Sequence, residues 1–375
     1  MRTPEKRGAG TKERKRMELY TLDGLNGIKD IVETFQSVVW NMQFFGFGDF
    51  ELVVPGTPKN FQILSKGTLL VRKTDISGNY DNLTYKNVMQ IHGVKLDYES
   101  EKGWLLTLRG SGLKKMVGQR IVWAQTNLSG TVEDGIRQVL TDNLIQPTDP
   151  DRVIQDFVLA PAKGYTETIE AQLFGENIAD WIQSTCEMNG FGWDVYISGG
   201  KYVFDLVKGT DRSSDQSVTE PVIFSTEYDN LASSSYEQNA ENGEGFANAA
   251  LVGGEGEGTD KTTAAIGTAS GLDRFERYID GSGISSNGEI ITAETYQAML
   301  ENFGAEELAG KSADEKITGE ILQNGMYILN RDYFLGDIVE LKTEFYSAKS
   351  RITELIYSED ENGSYLIPTF GQWQE

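Results

Sequence analysis

The sequence predicts a mainly β protein in which an α+β unit lies between two β domains, and three observations indicate this. Residues 17–125 carry short β-branched and aromatic runs separated by glycine, asparagine and proline. Residues 126–215 change to helical spacing, and residues 216–375 return to strand character. Near the C-terminus, Asn362-Gly363 joins apolar runs, which favours a β-hairpin because both residue types tolerate the positive φ angles of a type I′ turn.

Short strands at regular spacing dominate the first region. Glycine, asparagine or proline separates them, and this pattern favours a barrel or a sandwich. The strands are expected at residues 28–34, 38–45, 50–54, 68–73, 87–98 and 104–109. Met17 opens the region and is a candidate alternative start.

Helical periodicity identifies two helices in the central region. The first begins at residues 131–134, where a threonine precedes two acids, and the second begins near Asn177 and ends at Asn189-Gly190. Two alternating runs, 193–197 and 202–206, flank Ser-Gly-Gly and predict a half-buried hairpin. The buried helix positions are expected at Val132, Ile136, Val139, Leu140, Leu144, Ile178, Trp181, Ile182 and Cys186.

The third region is predicted to be a second β domain with a helical insertion at about 290–325. Runs at 222–224, 234–236 and 249–252 have strand character, and a polar, Gly-rich stretch at 259–290 follows. Helical spacing then returns. The helix is expected to be capped by Thr292 and to bury Tyr296, Met299, Leu300 and Phe303.

The closing strands carry apolar side chains on both faces. Under strict alternation one face holds Ile352, Glu354 and Ile356, and the other holds Thr353, Leu355 and Tyr357. Apolar groups on both faces are typical of a small barrel that fills its own interior and packs its outside against a neighbour. We therefore expect another element or chain to cover the outer face.

The charge of the chain argues against a nucleic-acid ligand. The formal net charge is −23. Residues 1–16 hold seven basic and two acidic residues, a net +5, which leaves −28 for the rest. A body this acidic repels phosphate backbones. The basic segment is either a partner-binding arm or a disordered stub, and its lack of apolar residues favours the stub.

Cysteine usage and hydropathy limit the cross-links, metal sites and membrane segments that the chain can form. Cys186 is the only cysteine, which excludes an internal disulfide and a zinc site built on cysteine pairs. No run of 18 apolar residues occurs, and the N-terminus lacks the apolar core of an export signal. We expect a protein that is made in a cytoplasm and does not span a membrane.

Three features invite a catalytic or phosphate-binding interpretation. The loop GGEGEGTDKT at 253–262 lacks the Gly-Lys-Ser/Thr order of a phosphate loop, so a strand-end loop is favoured. His92, the only histidine, lies in a predicted strand without a nucleophile-elbow pattern and is expected to be a surface residue. Cys186 lies on the apolar stripe of a helix and is expected in the core.

Pairs of acids are the remaining candidates. Glu255 with Glu257, and Asp360 with Glu361, are the densest pairs, but both lie in loops or turns where solvent holds the pKa low. The turn at 358–363 also lacks the alternating oxygen ligands of a calcium loop. The sequence therefore predicts no catalytic, cofactor-binding or metal-binding residue, and a protein that is not an enzyme.

Four segments together resemble one known family. They read GLNGIKDIVETFQSVVWNMQFFGFGDFEL, LLTLRGSGLKKMVGQRIV, ALVGGEGEG and YFLGDIVEL…SRITELIYS…PTFG. Their order is similar to that of the siphophage tail-hub proteins, a baseplate hub-like group that includes the N-terminal modules of tail-associated lysins. The resemblance covers most of the chain from about residue 17 onward, and the segments are fold motifs without catalytic residues.

The resemblance implies a homotrimer at the tail tip or baseplate of a virion. Each copy would contribute two tube-type β-barrel domains, at 17–125 and 216–375, with the α+β domain at 126–215 between them along the chain, and the six barrels would continue the tail tube. The implied partners are a distal tail or tail tube protein, the tape measure protein, and a spike, fibre or lysin. Genomic DNA would only pass through the acidic bore, since like charges suppress adsorption.

The sequence thus favours a structural hub, and two alternatives remain open. The first is a peptidoglycan-cleaving tail lysin, although the chain ends at Glu375 and the larger members of the group would carry that activity in a further C-terminal domain. The second is a carbohydrate- or receptor-binding tail module, because aromatic residues make up 10% of the chain. A flexible tail, a contractile tail and a bacteriocin-like particle all fit the same outline.

Overall fold

A computed structural model gives the fold and describes residues 17–79, 82–101, 103–238, 246–288, 290–309, 315–321 and 326–372. The basic segment 1–16 lies outside the described residues. The prediction of a mainly β chain is confirmed. The helices are α1 (Pro58–Ile63), α2 (Val132–Leu140), α3 (Ile178–Asn189) and α4 (Ala293–Ala309).

The strands of the first and central regions include all six that the sequence predicts before residue 110. They are β1 (Leu19–Leu22), β2 (Ile28–Val32), β3 (Ser37–Gln43), β4 (Asp49–Pro55), β5 (Leu69–Arg72), β6 (Ile76–Asn79), β7 (Asn82–Tyr85), β8 (Met89–Glu99), β9 (Gly103–Gly112), β10 (Thr126–Thr131), β11 (Phe157–Leu159), β12 (Thr168–Leu173), β13 (Phe191–Ser198) and β14 (Lys201–Lys208).

The described part of the third region supplies nine further strands. They are β15 (Ile223–Ser225), β16 (Leu231–Gln238), β17 (Ala249–Gly253), β18 (Thr263–Ile266), β19 (Glu276–Asp280), β20 (Glu315–Ile321), β21 (Ile338–Lys342), β22 (Ser347–Asp360) and β23 (Gly363–Gln372). The strands expected at 222–224, 234–236 and 249–252 are therefore confirmed as β15, β16 and β17.

One sheet of 13 strands joins the beginning of the chain to its end. Its path is β16-β20-β23-β22-β3-β4-β9-β8-β5-β1-β2, with β21 also paired to β22 and β15 paired to β21. The junction is antiparallel, and it places Tyr357 of β22 opposite Trp40 of β3. The end strands β2 and β16 do not pair with each other, and the strands that the structure describes form no closed barrel.

Three clusters of buried side chains form the cores. The main sheet encloses the first, which includes Trp40, Phe50, Phe224 and Phe370. The second packs α2 and α3 onto β13 and β14 and also takes in Leu22, Leu69 and Val71 from the main sheet. The third belongs to α4 and the small sheet β18-β17-β19.

The central region forms as its local signals predict. Thr131 caps α2 by accepting a hydrogen bond from Asp134 N at 3.1 Å, and Asn177 caps α3 in the same way. The nine predicted core positions of the two helices are all buried. The hairpin β13–β14 pairs Trp193 with Leu206 and Val195 with Phe204, as the alternation predicts.

The closing hairpin is confirmed, but its predicted turn type is wrong. The pair Asp360↔Gly363 closes the hairpin, so Glu361 and Asn362 are the two loop residues, and neither has a positive φ. Gly363 instead adopts φ 143° at the start of β23. Asp360 Oδ1 accepts hydrogen bonds from Asn362 N at 2.7 Å and Gly363 N at 3.2 Å, and this local bonding replaces the type I′ geometry.

The predicted assignment of side chains to the faces of β22 is also wrong at one position. The register against β23 shifts between Ile352 and Glu354, a β-bulge that moves Ile352 to the other face. Ile352 and Leu355 consequently lie on the same side of the sheet, and both are buried. Strict alternation could not show this because the bulge depends on pairing with another strand.

The α4 helix begins as expected and ends earlier than the predicted insertion. Thr292 Oγ1 accepts a hydrogen bond from Thr295 N at 3.2 Å, which caps the helix. Tyr296, Met299 and Leu300 are buried as predicted, whereas Phe303 is only partly buried. Beyond Ala309, the described part of 290–325 contains the strand β20, which pairs with β16 and β23.

Candidate functional site

The hairpin β8–β9 leaves one of its edges unpaired. Strand β8 pairs with β5 only at Met89 and Gln90, and Ile91 makes the last main-chain bonds to the 67–68 turn. Beyond His92, no described strand pairs with the outer edge of β8. We call residues 92–99 with 103–108 the arm. An unpaired edge is a template for strand addition by another chain.

The arm also exposes the apolar face that it shares with the core. Leu106 and Leu108 of β9 are fully buried, whereas their cross-strand partners Leu96 and Val94 are about 40% exposed. At the tip, Tyr98 lies opposite Trp104 with ring centroids 5.2 Å apart, and the two side chains are 62% and 53% exposed. The sheet face that is buried in the core at Leu106 and Leu108 therefore extends to Leu96 and Val94, where it is partly exposed to solvent.

A second exposed apolar area lies on the outer face of the main sheet. Val39 on β3 is aligned through Ser358 with Tyr365 on β23, and Ile356 on β22 is aligned with Ile367. Val39, Tyr365 and Ile367 are each about 40% exposed. We call these four apolar residues the outer patch. Within one copy, the outer face thus carries apolar side chains that no described element covers.

A buried lysine fixes the main sheet to the central region. Lys114 Nζ donates hydrogen bonds to the carbonyl oxygens of Gln43 at 2.7 Å, Phe44 at 3.1 Å and Gly46 at 2.9 Å. Burial lowers the pKa of Lys114 to about 8. The ammonium also lies 5.2 Å from the Trp193 ring centroid, and Trp193 Nε1 donates to Phe45 O at 2.6 Å.

The ring of Phe44 completes this joint. A Cβ atom added at Gly192 or at Gly336 would overlap the ring, so both glycines are required for its close approach. The Arg351 guanidinium lies 5.4 Å from the centroid of the same ring. No local sequence pattern predicts this joint, although FFGFG and GLKK occur in the segments that carry the resemblance.

The predicted surface histidine lies at the base of the arm. His92 Nε2 is 2.8 Å from Ser111 Oγ, and His92 is exposed. Burial of the ring nitrogens and the nearby Lys115 and Lys66 lower the pKa of His92. Among the described residues, the His92 ring hydrogen-bonds to Ser111 and to no carboxylate, so the His-Ser pair lacks the acid that orients the base in a triad.

The other candidate residues are distributed over the chain. Cys186 is fully buried, and burial raises the pKa of its thiol, which disfavours the reactive thiolate. Glu255 accepts hydrogen bonds from Ser285 Oγ at 2.7 Å and Ser286 N at 3.0 Å, which lower its pKa. A general acid for glycan cleavage needs a raised pKa. Asp360 and Glu361 lie in the exposed closing turn.

Two kinds of feature are absent from the described residues. They contain no group of three or more His, Cys, Asp or Glu residues arranged to hold a metal ion. Of the four helices described above, none is long and apolar enough to cross a membrane.

The fold is similar to solved phage tail proteins. The 43 kDa tail protein of prophage MuSo2 from Shewanella oneidensis aligns with a TM-score of 0.56 and 13% identity, over 96% of this chain and 98% of that one. A tail protein from Neisseria meningitidis MC58 gives 0.56 and 14%, over 95% and 96%. Prophage tail protein gp18 from Listeria monocytogenes EGD-e gives 0.53 and 12%, over 96% and 95%.

At these identities the structural likeness concerns the fold, and the family assignment comes from the sequence. A search of curated proteins finds no match to this chain. The family model described as "Siphovirus ReqiPepy6 Gp37-like protein" matches residues 17–372. The resemblance predicted from the four motifs is thereby confirmed. The chain belongs to the Siphovirus ReqiPepy6 Gp37-like protein family.

Proposed function

We propose that the protein is a structural, non-enzymatic hub of a phage or phage-like tail tip or baseplate, in which three copies form a ring that continues the tail tube. The family and the tail-protein fold support a role in the tail. The main structural support for the ring is the arm, because it combines an unpaired strand edge with an uncovered apolar face. When a second copy packs on the arm, the strand edge gains main-chain hydrogen bonds and the apolar face is removed from water.

In this proposal the barrels are completed by assembly. Residues 17–125 and 216–375 supply the two tube-type barrel domains and residues 126–215 the α+β domain, so three copies supply six barrels. The open sheet supports this arrangement, since its end strands β2 and β16 remain unpaired with each other in one copy. The outer patch supplies a further apolar surface for a neighbouring copy.

Charge supports passage of DNA rather than binding of DNA. The body carries a net charge of about −28, obtained by removing the +5 of residues 1–16 from the total of −23. A bore lined by such a body repels phosphates and lets the genome slide through. The partners in the particle would be a distal tail or tail tube protein, the tape measure protein, and a spike, fibre or lysin.

The described geometry gives less support to a peptidoglycan-cleaving lysin. Glu255, the most plausible acid in the Gly-rich loop, has a lowered pKa, and His92 has a serine neighbour but no orienting acid. Neither arrangement supplies the proton donor that glycan cleavage needs.

Site-specific cross-linking tests the ring. Because Cys186 is buried, a cysteine introduced by Tyr98→Cys offers the accessible thiol for a benzophenone maleimide. We expect irradiation to give covalent dimers and trimers on a denaturing gel. Leu272→Cys is the matched control, since Leu272 is 98% exposed and lies between β18 and β19, outside the arm. Monomers alone from Tyr98→Cys would contradict the proposal.

A further inference from the structure

A polar groove in the central region has no role in the proposed ring. It lies between the segment that leads into β10, the C-terminal end of α2 and the turn at 148–152, and its volume is about 620 Å³. We call it the Trp123 groove, and its lining includes the side chains of Trp123, Gln138, Asp142, Gln146, Asp149 and Arg152.

The groove presents a fixed aromatic platform. Trp123 is 62% exposed, and the Arg152 guanidinium lies 4.8 Å from its ring centroid. Arg152 Nη2 is itself held by Ile121 O at 2.7 Å and by Asn143 Oδ1 at 3.3 Å. Since the guanidinium occupies one side of the indole, the exposed area belongs mainly to the opposite face and the edge.

Asn143 holds the main chain beneath this platform. Its Oδ1 accepts a hydrogen bond from Trp123 N at 3.0 Å, and its Nδ2 donates to Val139 O at 2.9 Å. Asn143 is only 3% exposed. Because Arg152 packs on the indole and Asn143 holds its main chain, less side-chain freedom is lost when a ligand stacks on Trp123.

Polar side chains with unused hydrogen-bonding capacity face the same space. The side chains of Gln138, Asp142 and Gln146 make no hydrogen bond within the part of the chain that the structure describes, and all three are exposed. Helix α2 continues into a wide π-helical turn, Thr141–Ile145, in which Gln146 N donates to Thr141 O at 2.7 Å. Such turns change which side chains a helix end presents, and they are frequent at functional sites.

This combination of groups selects among ligand classes. Amides supply donors and acceptors and Asp142 supplies acceptors, which together suit vicinal hydroxyl groups. Asp142 and Asp149 both line the groove, and the one cation, Arg152, is engaged by the indole and by two oxygens, so phosphates and nucleic acids are disfavoured. The lining has one large apolar group and no enclosed apolar volume for a lipid or an apolar peptide anchor.

We propose that the Trp123 groove binds a neutral saccharide. One sugar ring stacks its C–H face on the open side of Trp123, and its hydroxyl groups bond to Gln138, Asp142 and Gln146. The groove is large enough for about two sugar rings, given that ligand sites of this kind measure roughly 300–1,000 Å³. The site is independent of the proposed ring, since none of its residues belongs to the arm or to the outer patch.

Binding by the full chain tests the saccharide site. The probes are N,N′,N″,N‴-tetraacetylchitotetraose, maltotetraose and mannotetraose, each titrated to about 10 mM so that a millimolar dissociation constant is detected. Saturation-transfer NMR and tryptophan fluorescence report the binding. We expect at least one probe to bind. Trp123→Ala should weaken that binding at least tenfold, and Gln146→Ala should weaken it severalfold.

A matched tryptophan provides the control. Trp104→Ala removes a similarly exposed indole from the arm and should leave saccharide affinity within twofold of the unaltered chain. Circular dichroism establishes that each variant is folded, and Trp123→Phe, which keeps an aromatic face, should retain most of the affinity. Absence of binding to all three probes, or binding that survives Trp123→Ala, would overturn the proposal.

Discussion

The Lys114 ammonium donates a hydrogen bond across 3.1 Å to the carbonyl oxygen of Phe44, a residue at the end of β3. The same ammonium also donates to the carbonyl oxygens of Gln43 and Gly46, so it supplies a donor to three carbonyl groups where the chain leaves β3. The joint between the main sheet and the central region therefore depends on one buried cation.

Lys114→Met should destabilise this joint. Methionine has a similar length but donates no hydrogen bond, so three buried carbonyl groups lose a partner, and we expect the free energy of unfolding to fall by about 2–3 kcal/mol. Urea denaturation measures the loss. Lys115→Met is the control, because Lys115 is the exposed neighbour. Equal losses for both variants would show that the carbonyl contacts do not matter.

Glu306 should make stability depend on pH. Burial is the main cause that raises its pKa to about 7, and Thr185 Oγ1 donates to its carboxyl at 2.8 Å. The folded state therefore binds more protons than the unfolded state between about pH 4.5 and 7. Stability is greatest below that window and falls as the pH rises through it.

Glu306→Gln removes this titration. We expect the variant to lose the decline in unfolding free energy between pH 4.5 and 7, which in the unaltered chain amounts to about 2–3 kcal/mol. Urea denaturation at a series of pH values measures it. Glu307→Gln, at an exposed position one residue away, should retain most of the decline. A decline that persists in Glu306→Gln would assign it to another group.

Within the arm, strand β8 should tolerate a charge that strand β9 cannot. Leu96 and Leu106 lie directly opposite each other, but only Leu106 is fully buried in one copy. Leu96→Asp is expected to leave the thermal unfolding of the monomer nearly unchanged and to abolish assembly. Leu106→Asp should prevent folding, because it places an unpaired charge in the core. Sedimentation and calorimetry separate these effects, and an assembled Leu96→Asp would refute the interface.

The closing turn offers a test of local geometry. Gly363 has φ 143°, a region that favours glycine, so Gly363→Ala should cost about 1 kcal/mol or more of unfolding free energy. Asn362 has no positive φ, and Asn362→Ala should cost less than about 0.5 kcal/mol. Chemical denaturation of both variants gives the comparison. A larger loss for Asn362→Ala would indicate the type I′ turn after all.

Signals that act over a few residues predicted the structure well. The caps at Thr131 and Asn177, the alternation of Trp193 and Val195, and the strand runs of the first region all depend on neighbours along the chain. Features that depend on distant partners were missed. The bulge at Ile352 follows from pairing with β23, and β20 follows from pairing with β16 and β23.

The arm and the Trp123 groove could not be predicted from the sequence for a related reason, since each depends on residues that are distant along the chain. Leu96 and Leu106 are the same residue type in neighbouring strands, so the sequence does not tell which one lacks a cover. Trp123 precedes the polar run AQTN, but its platform depends on Arg152 and Asn143, which are 29 and 20 residues away. The sequence predicted the family correctly because the family's motifs occur in it in their characteristic order. The solvent exposure of a side chain, in contrast, is decided by the fold.

Native mass spectrometry of the full chain, alone and mixed with the tube protein of its own particle, tests most directly whether copies complete one another. The account predicts a species of three chains, present alone or formed on mixing, that Leu96→Asp dissociates. A single-chain species under both conditions, with the arm open to solvent, would contradict it.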